Sequence, residues 1–261
     1  MDNQDFRWKY RPRFFSEVVG NQRTKQRLIN FVTSRHFPSG ILLYGPAGSG
    51  KTTLSHLFIK SLCCKNFKGD LCGVCKDCLS MKNDFSGGAL TYEIHDCTRI
   101  DAKELEKILD YLRYAPGWNP LHLNVHIFDE FHRAKEPLQE KLLETIEFKR
   151  DTLLIFCLID FEKITEAFRQ RVEVLKVSPP TIDELMPLLN RVCESEGIVI
   201  KDTRALRQVA IEANQSPREC HALLQSIHNL KKPLTIELVK EISKERQVSC
   251  SDEPKYTLAE E

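Results

Sequence analysis

Residues Gly45, Pro46, Ala47, Gly48, Ser49, Gly50, Lys51 and Thr52 match the pattern G-x-x-x-x-G-K-[ST]. They stand between the apolar run Gly40-Ile-Leu-Leu-Tyr44 and a stretch of helical period at 51–64. A strand feeding a glycine-rich turn and then a helix limits the fold more than any other feature of the chain. The glycines let successive backbone N–H groups wrap an anion, and the helix start adds unpaired N–H groups and a favourable dipole. Lys51 has the reach for the β- and γ-phosphates of a nucleoside triphosphate, and the Thr52 hydroxyl, followed by Thr53, for a Mg²⁺ ion on them.

The flanking chain agrees with such a core. Further apolar runs fall at 91–95, 123–128, 152–159 and 172–177, short and bounded by polar residues, as buried parallel strands are. Helical periodicity falls at 22–36, 102–113, 136–148 and 163–170. This alternation predicts an α/β domain with a parallel sheet over residues 1–177. After Ser178-Pro179-Pro180 the strands stop, and helices are predicted at 181–196, 202–214, 217–230 and 235–246, with Thr181 and Asp202 as N-caps and Asn229 closing the third. A small all-helical domain at 178–246 and a polar, frayed tail at 247–261 follow. The net charge is +1, so no global field selects nucleic acid or membrane, and no apolar run is long enough to span a bilayer. Ten cysteines without an apolar signal core predict an intracellular, cytoplasmic protein whose thiols serve metal or packing rather than disulfides.

Two more constellations carry chemistry. The run Asn124-Val-His-Ile-Phe128 ends in Asp129 and Glu130. Ligands of open α/β sheets sit beyond the carboxyl ends of the strands, which places both acids beside the phosphate loop. Asp129 suits the Mg²⁺ ion through water, and Glu130 suits an attacking water. Cys64, Cys72, Cys75 and Cys78 lie within fifteen residues of a glycine-containing insertion, a pattern for a closed tetrahedral Zn²⁺ site in a zinc module at about 63–80. Iron–sulfur ligation is the competing metal reading, and Cys63 competes with Cys64 for the ion.

In order along the chain, Lys9-Tyr-Arg-Pro12, Glu17-Val-Val-Gly20, the phosphate loop, the four cysteines, Asp129-Glu-Phe-His132 and Arg171 resemble the clamp-loader ATPases of the AAA+ superfamily. The cysteine insertion after the phosphate-loop helix is similar to that of the bacterial DNA polymerase III gamma/tau subunits and their delta-prime relatives. The resemblance covers about Arg7 to Leu230. It implies an AAA+ P-loop core with a helical lid domain, ATP as ligand, and a base pocket lined by Tyr10, Arg11, Pro12, Val18 and Val19. It further implies an arginine finger at Arg171, offered to a neighbouring subunit, and a γ-phosphate sensor at Arg218. Implied partners are other clamp-loader subunits, a sliding clamp and primer-template DNA, with Arg99, Lys103 and Lys141 as candidates for the DNA backbone.

The chain departs from that family at three points. The end of the fourth core strand, where a polar sensor is expected, reads Leu158-Ile159, and the Ser-Arg-Cys motif reads Gln170-Arg171-Val172. The sequence also ends about where an oligomerising collar domain begins in clamp loaders. Two functions follow as expectations: an ATPase motor subunit with slow hydrolysis, or a nucleotide-binding stator that lends Arg171 to an active neighbour. A branch-migration helicase is a third, opposed by the cysteine insertion.

Overall fold

An apolar run without polar alternation needs cover on both faces, and the chain's most continuous run takes the middle of the sheet. The computed structural model describes residues 5–80, 92–100, 102–114, 123–134, 136–148 and 151–251. Its strands are β1 (Gly40–Tyr44), β2 (Tyr92–Asp96), β3 (Asn124–Asp129), β4 (Thr152–Leu158) and β5 (Glu173–Lys176). They form one parallel sheet in the order β2-β3-β4-β1-β5. Every residue of central β4 is buried, whereas the edge strands β2 and β5 are partly exposed.

The helices are α1 (Phe6–Lys9), α2 (Gln22–Ser34), α3 (Lys51–Cys63), α4 (Lys76–Ser80), α5 (Ala102–Tyr114), α6 (Glu136–Phe148), α7 (Glu166–Arg169), α8 (Ile182–Glu196), α9 (Thr203–Glu212), α10 (Pro217–Leu230) and α11 (Ile236–Ser251). The two-residue period of the strands divides the core. Ile41, Leu43, Leu153, Ile155 and Cys157 pack with Leu28 of α2 and Leu54, Leu57 and Phe58 of α3. Leu42, Phe128, Leu154, Phe156 and Leu158 pack with Ile108 and Leu112 of α5 and Leu138 and Leu142 of α6. Helices thus cover both faces of the sheet.

The chain divides into two compact units, Arg11–Pro179 and a second that joins the first ten residues to Pro180 and beyond. This differs from a first domain starting at residue 1. The physical reason is Phe6: its backbone N–H donates to Gln225 Oε1 at 2.7 Å and its buried ring lies 5.4 Å from the His228 ring, tying α1 to α10. In this helical unit Thr181 and Glu184 form a reciprocal capping box on α8, and Asp202 and Ser216 cap α9 and α10.

Three element boundaries differ from the sequence reading. α10 runs past Asn229 and is closed by Lys231 in the left-handed region (φ 53°). α11 continues to Ser251, because Lys, Glu, Arg and Gln are good helix formers although they look like tail. The stretch 163–170 is a 3₁₀ turn, Phe161–Lys163, and a separate α7, interrupted where Thr165 caps the second piece through the Phe168 N–H.

Candidate nucleotide and metal sites

β1 ends at Tyr44, and Gly45 leaves the sheet by donating its N–H to Leu158 O at 3.1 Å. A Cβ on Gly45 would sit 1.9 Å from Val177 O, so only glycine allows the loop to turn there. Gly50 has φ 100° and open space where a Cβ would stand, leaving the loop's concave side clear for an anion. Ser49 Oγ is buried inside this loop without a hydrogen-bond partner among the described residues. An orphan hydroxyl at a helix start is what an anion site leaves behind in the free protein.

Lys51 is buried, and its Nζ donates to Gly45 O and Pro46 O, both at 2.9 Å. Burial pulls its pKa below the usual lysine value. A cation parked on carbonyls exchanges weak acceptors for phosphate oxygens at little cost in side-chain motion. At the end of β3, Asp129 Oδ2 accepts from Thr52 Oγ1 at 3.4 Å, and Asp129 Oδ1 accepts from the Glu130 N–H at 3.0 Å. Two hard oxygens converging beside a phosphate loop fit Mg²⁺. Glu130 itself adopts the left-handed conformation, φ 52°. Its Oε2 lies 3.4 Å from His132 Nε2, and His132 Nδ1 accepts from the Ile159 N–H at 3.5 Å. Because a backbone N–H can only donate, that bond puts the neutral ring's proton on Nε2, facing Glu130. The Leu158 side chain is fully buried and offers no polar atom, so the end of β4 reaches His132 through the Ile159 main-chain amide instead.

The other expected residues fall at three places. Val18 is buried, with Val19 beside it, in the Arg11–Pro179 unit that also holds Arg11 and Pro12. Tyr10 belongs to the helical unit, where its hydroxyl donates to Glu196 and its ring lies 5.8 Å from the His221 ring. Arg218 is also in the helical unit, in the first turn of α10. Arg171 is half-exposed after α7 and held by Glu147 Oε1 at 2.7 Å. Arg99, Lys103 and Lys141 are exposed; Arg99 pairs with Asp96 at 3.3 Å.

Cys64, Cys72, Cys75 and Cys78 bring their sulfurs within 4.8 Å of one another, with Cys72 and Cys78 at 3.9 Å. A tetrahedron of about 2.3 Å Zn–S bonds has edges of about 3.8 Å, so the donors fit one tetrahedral ion. The spacing is too tight for a multi-iron cluster. Cys64 leaves the end of α3 in extended conformation and joins the set, whereas Cys63 does not. Backbone N–H groups of Cys72, Cys75 and Cys78 donate to the sulfurs of Cys64, Cys72 and Cys75 at 3.3, 3.3 and 3.5 Å, which favours thiolate. Those of Val74 and Cys75 hold the Cys72 pKa down to about 6. Elsewhere, Glu93, His95 and His126 also converge, but the two rings are nearly coplanar with nitrogens meeting head-on at 2.9 Å. That is an N–H···N hydrogen bond across β2 and β3, not a pair of lone pairs aimed at an ion.

The family model described as DNA polymerase III, delta subunit, matches residues 20–181. The chain belongs to the DNA polymerase III delta-subunit family. Relatives align with it over most of its length. The gamma/tau subunit of DNA polymerase III from Mycoplasma pneumoniae is 30% identical over 232 residues, covering 88% of this chain and 33% of the relative. The DNA polymerase III gamma subunit of Buchnera aphidicola subsp. Acyrthosiphon pisum is 27% identical, covering 88% and 63%. The chain therefore spans about a third of the first relative's length and under two thirds of the second's. Among solved structures, the Thermotoga maritima RuvB Holliday junction branch migration motor superposes with a TM-score of 0.64 at 19% identity, covering 92% of this chain and 73% of that one. This polymerase III family chain thus has the fold of that motor, a parallel α/β core and a helical unit.

Sequence reasoning named Ser49 through the loop motif but missed His132's contact with Ile159 and Glu147's hold on Arg171. Of these, His132 carried a signal, by standing in Asp129-Glu-Phe-His132.

Proposed function

We propose that the chain is a clamp-loader-type ATPase subunit that uses ATP binding and hydrolysis to load a sliding clamp onto primer-template DNA. The observation that carries this is the convergence of Lys51, Thr52, Asp129 and Glu130 at the carboxyl ends of β1 and β3. Lys51 leaves the Gly45 and Pro46 carbonyls for the phosphate oxygens, and loop N–H groups bind the rest. Thr52 and Asp129 would hold Mg²⁺, which would supply charge neutralisation at the phosphates. Glu130, oriented by His132, positions the attacking water and accepts its proton. Arg11, Pro12, Val18 and Val19 of the core unit contact the base. The resemblance gives Tyr10 the same role and Arg218 that of γ-phosphate sensor, and Arg171 stabilises phosphoryl charge in a neighbouring subunit, as a permanent planar cation can. Cys64, Cys72, Cys75 and Cys78 would hold Zn²⁺, which would staple the insertion. Arg99, Lys103 and Lys141 face the DNA backbone, and a cytoplasmic location suits this role.

One observation favours a second reading, a non-hydrolysing stator: Leu158 is buried and apolar where a polar sensor is expected. Steady-state ATP turnover decides between them, measured with and without primed DNA and a sliding clamp, beside Glu130→Gln. The motor reading expects turnover that rises with DNA plus clamp and falls at least about a hundredfold in the variant. Nucleotide binding without turnover in any mixture leaves the stator.

A further inference from the structure

Asp70 lies between Cys64 and Cys72, and its side chain points away from the sulfurs to another part of the chain. Oδ1 accepts from the Phe15 N–H at 2.8 Å and the Leu71 N–H at 2.8 Å, and Oδ2 accepts from the Ser16 N–H at 3.0 Å. Phe15–Glu17 is a 3₁₀ turn whose first N–H groups have no partner within the turn. Asp70 caps it from 54 residues away. Next to it, a Cβ on Gly73 would come within 3.0 Å of the Phe14 ring, so the loop's backbone lies directly against that ring. Leu71, Cys64 and Cys78 share one core cluster with Phe15 and Val18.

The same strap continues to the phosphate loop. Val18 O accepts from the buried Lys25 Nζ at 2.7 Å. The Asn21 side chain exchanges two hydrogen bonds with the Ser178 backbone, at 2.9 and 2.8 Å, and Ser178 follows the Val177 carbonyl that abuts Gly45. Packed contacts therefore run from the four cysteines through Asp70 into Phe15–Asn21, the strap that carries Val18 and Val19 of the proposed base pocket and whose far end is anchored on Ser178.

We propose that the metal-bound Cys64–Cys78 loop is a positioning element of the nucleotide site: Asp70 fixes the Phe15–Asn21 strap, so metal occupancy and adenine-nucleotide affinity are linked. The inference rests on the nucleotide-binding reading above. The loop has little else to order it. Its buried apolar side chains are Leu71 and two of the metal-binding cysteines, while Lys65, Lys68 and Lys76 are exposed. A segment without its own core takes its order from the ion. Linkage is reciprocal, so bound ATP must tighten metal affinity by the factor with which metal tightens ATP.

The test compares zinc-loaded wild type, chelator-treated wild type and zinc-loaded Asp70→Asn, with metal content checked by elemental analysis. Affinity is measured for a fluorescent ATP analogue and, by competition, for inorganic tripolyphosphate, which needs only the phosphate loop. The expected result is a loss of about tenfold for the ATP analogue in both altered forms, within the usual range of coupling. Tripolyphosphate affinity stays unchanged, and the zinc affinity of wild type, titrated at equilibrium against a competing chelator, rises by the same factor when ATP is present. Equal ATP affinity in all three forms overturns the inference. Parallel loss of both ligands overturns it as well, since that is general unfolding rather than a displaced strap. If zinc-loaded wild type binds neither ligand, the nucleotide reading itself fails, and this proposal with it.

Discussion

Glu130 occupies a left-handed backbone conformation that costs a glutamate about a kilocalorie per mole or more, and such strain collects at functional sites. Its side chain is not left to choose a rotamer alone, because His132 faces it and the Ile159 amide sets the His132 tautomer. That arrangement brings a main-chain amide to bear at the end of β4, where the Leu158 and Ile159 side chains offer no hydrogen bond. His132→Ala is therefore expected to lower kcat about tenfold or more while nucleotide affinity holds, and His132→Gln, which still donates and accepts, to recover part of the loss. Turnover and nucleotide titration on the same preparations check this split; equal kcat in wild type and His132→Ala would refute it. At this scale the sequence was readable where chemistry is local. The glycines and Lys51 declare themselves by spacing, since each acts within one turn of chain. Asp70, Glu147 and the Ile159 amide act on residues 24 to 55 positions away, and a main-chain donor has no residue type to betray it.

Among elements, the strands were legible within a residue or two because burial on both faces leaves apolar runs with sharp edges. α8 and α9 were legible because Thr181 and Asp202 bond to the first turns they precede. α1 was not: four residues are too few to show a period, and only Phe6 buries itself. The sheet also holds its polar residues at a cost that pH can expose. Burial, and then the neighbouring His95, holds the His126 pKa down to about 3, and burial, then Arg11, does the same for His56 on α3. Between that value and the unfolded value near 6.5 the unfolded chain binds more protons, so stability is full above pH 6.5 and falls as pH drops. Each such histidine contributes at most about 1.4 kcal/mol per pH unit in that window. Urea midpoints of wild type and His126→Gln between pH 7.5 and 5 should converge on acidification, with the shallower slope in the variant. Parallel slopes would mean that His126 titrates normally. Proton competition for the cysteine thiolates affects both proteins and cancels in the comparison.

For the whole molecule the question is whether one chain holds a complete site. Arg171 stands at the surface and is held by Glu147, with both side chains a third or more exposed. Exposed ion pairs of this kind are worth roughly 0–1 kcal/mol, so a partner offering phosphoryl charge can take the guanidinium from Glu147 easily. If Arg171 serves a neighbouring copy or subunit, its loss and the loss of Glu130 damage different sites. Arg171→Ala keeps an intact pocket but lends no cation; Glu130→Gln lends the cation but cannot use its own pocket. Each variant alone should turn over ATP at least about tenfold more slowly than wild type, and a mixture of the two should exceed the sum of its parts. In the mixture, an Arg171→Ala pocket can sit beside a Glu130→Gln neighbour that supplies the missing arginine. The gain should grow with total concentration, because it depends on contact between chains. Additive rates at every ratio and concentration would instead place Arg171 outside the neighbour's site, and leave the Glu147 pair as its whole role. Glu147→Gln separates these cases further: it frees Arg171 without removing it, so turnover at low concentration should rise if release from Glu147 limits assembly of the shared site.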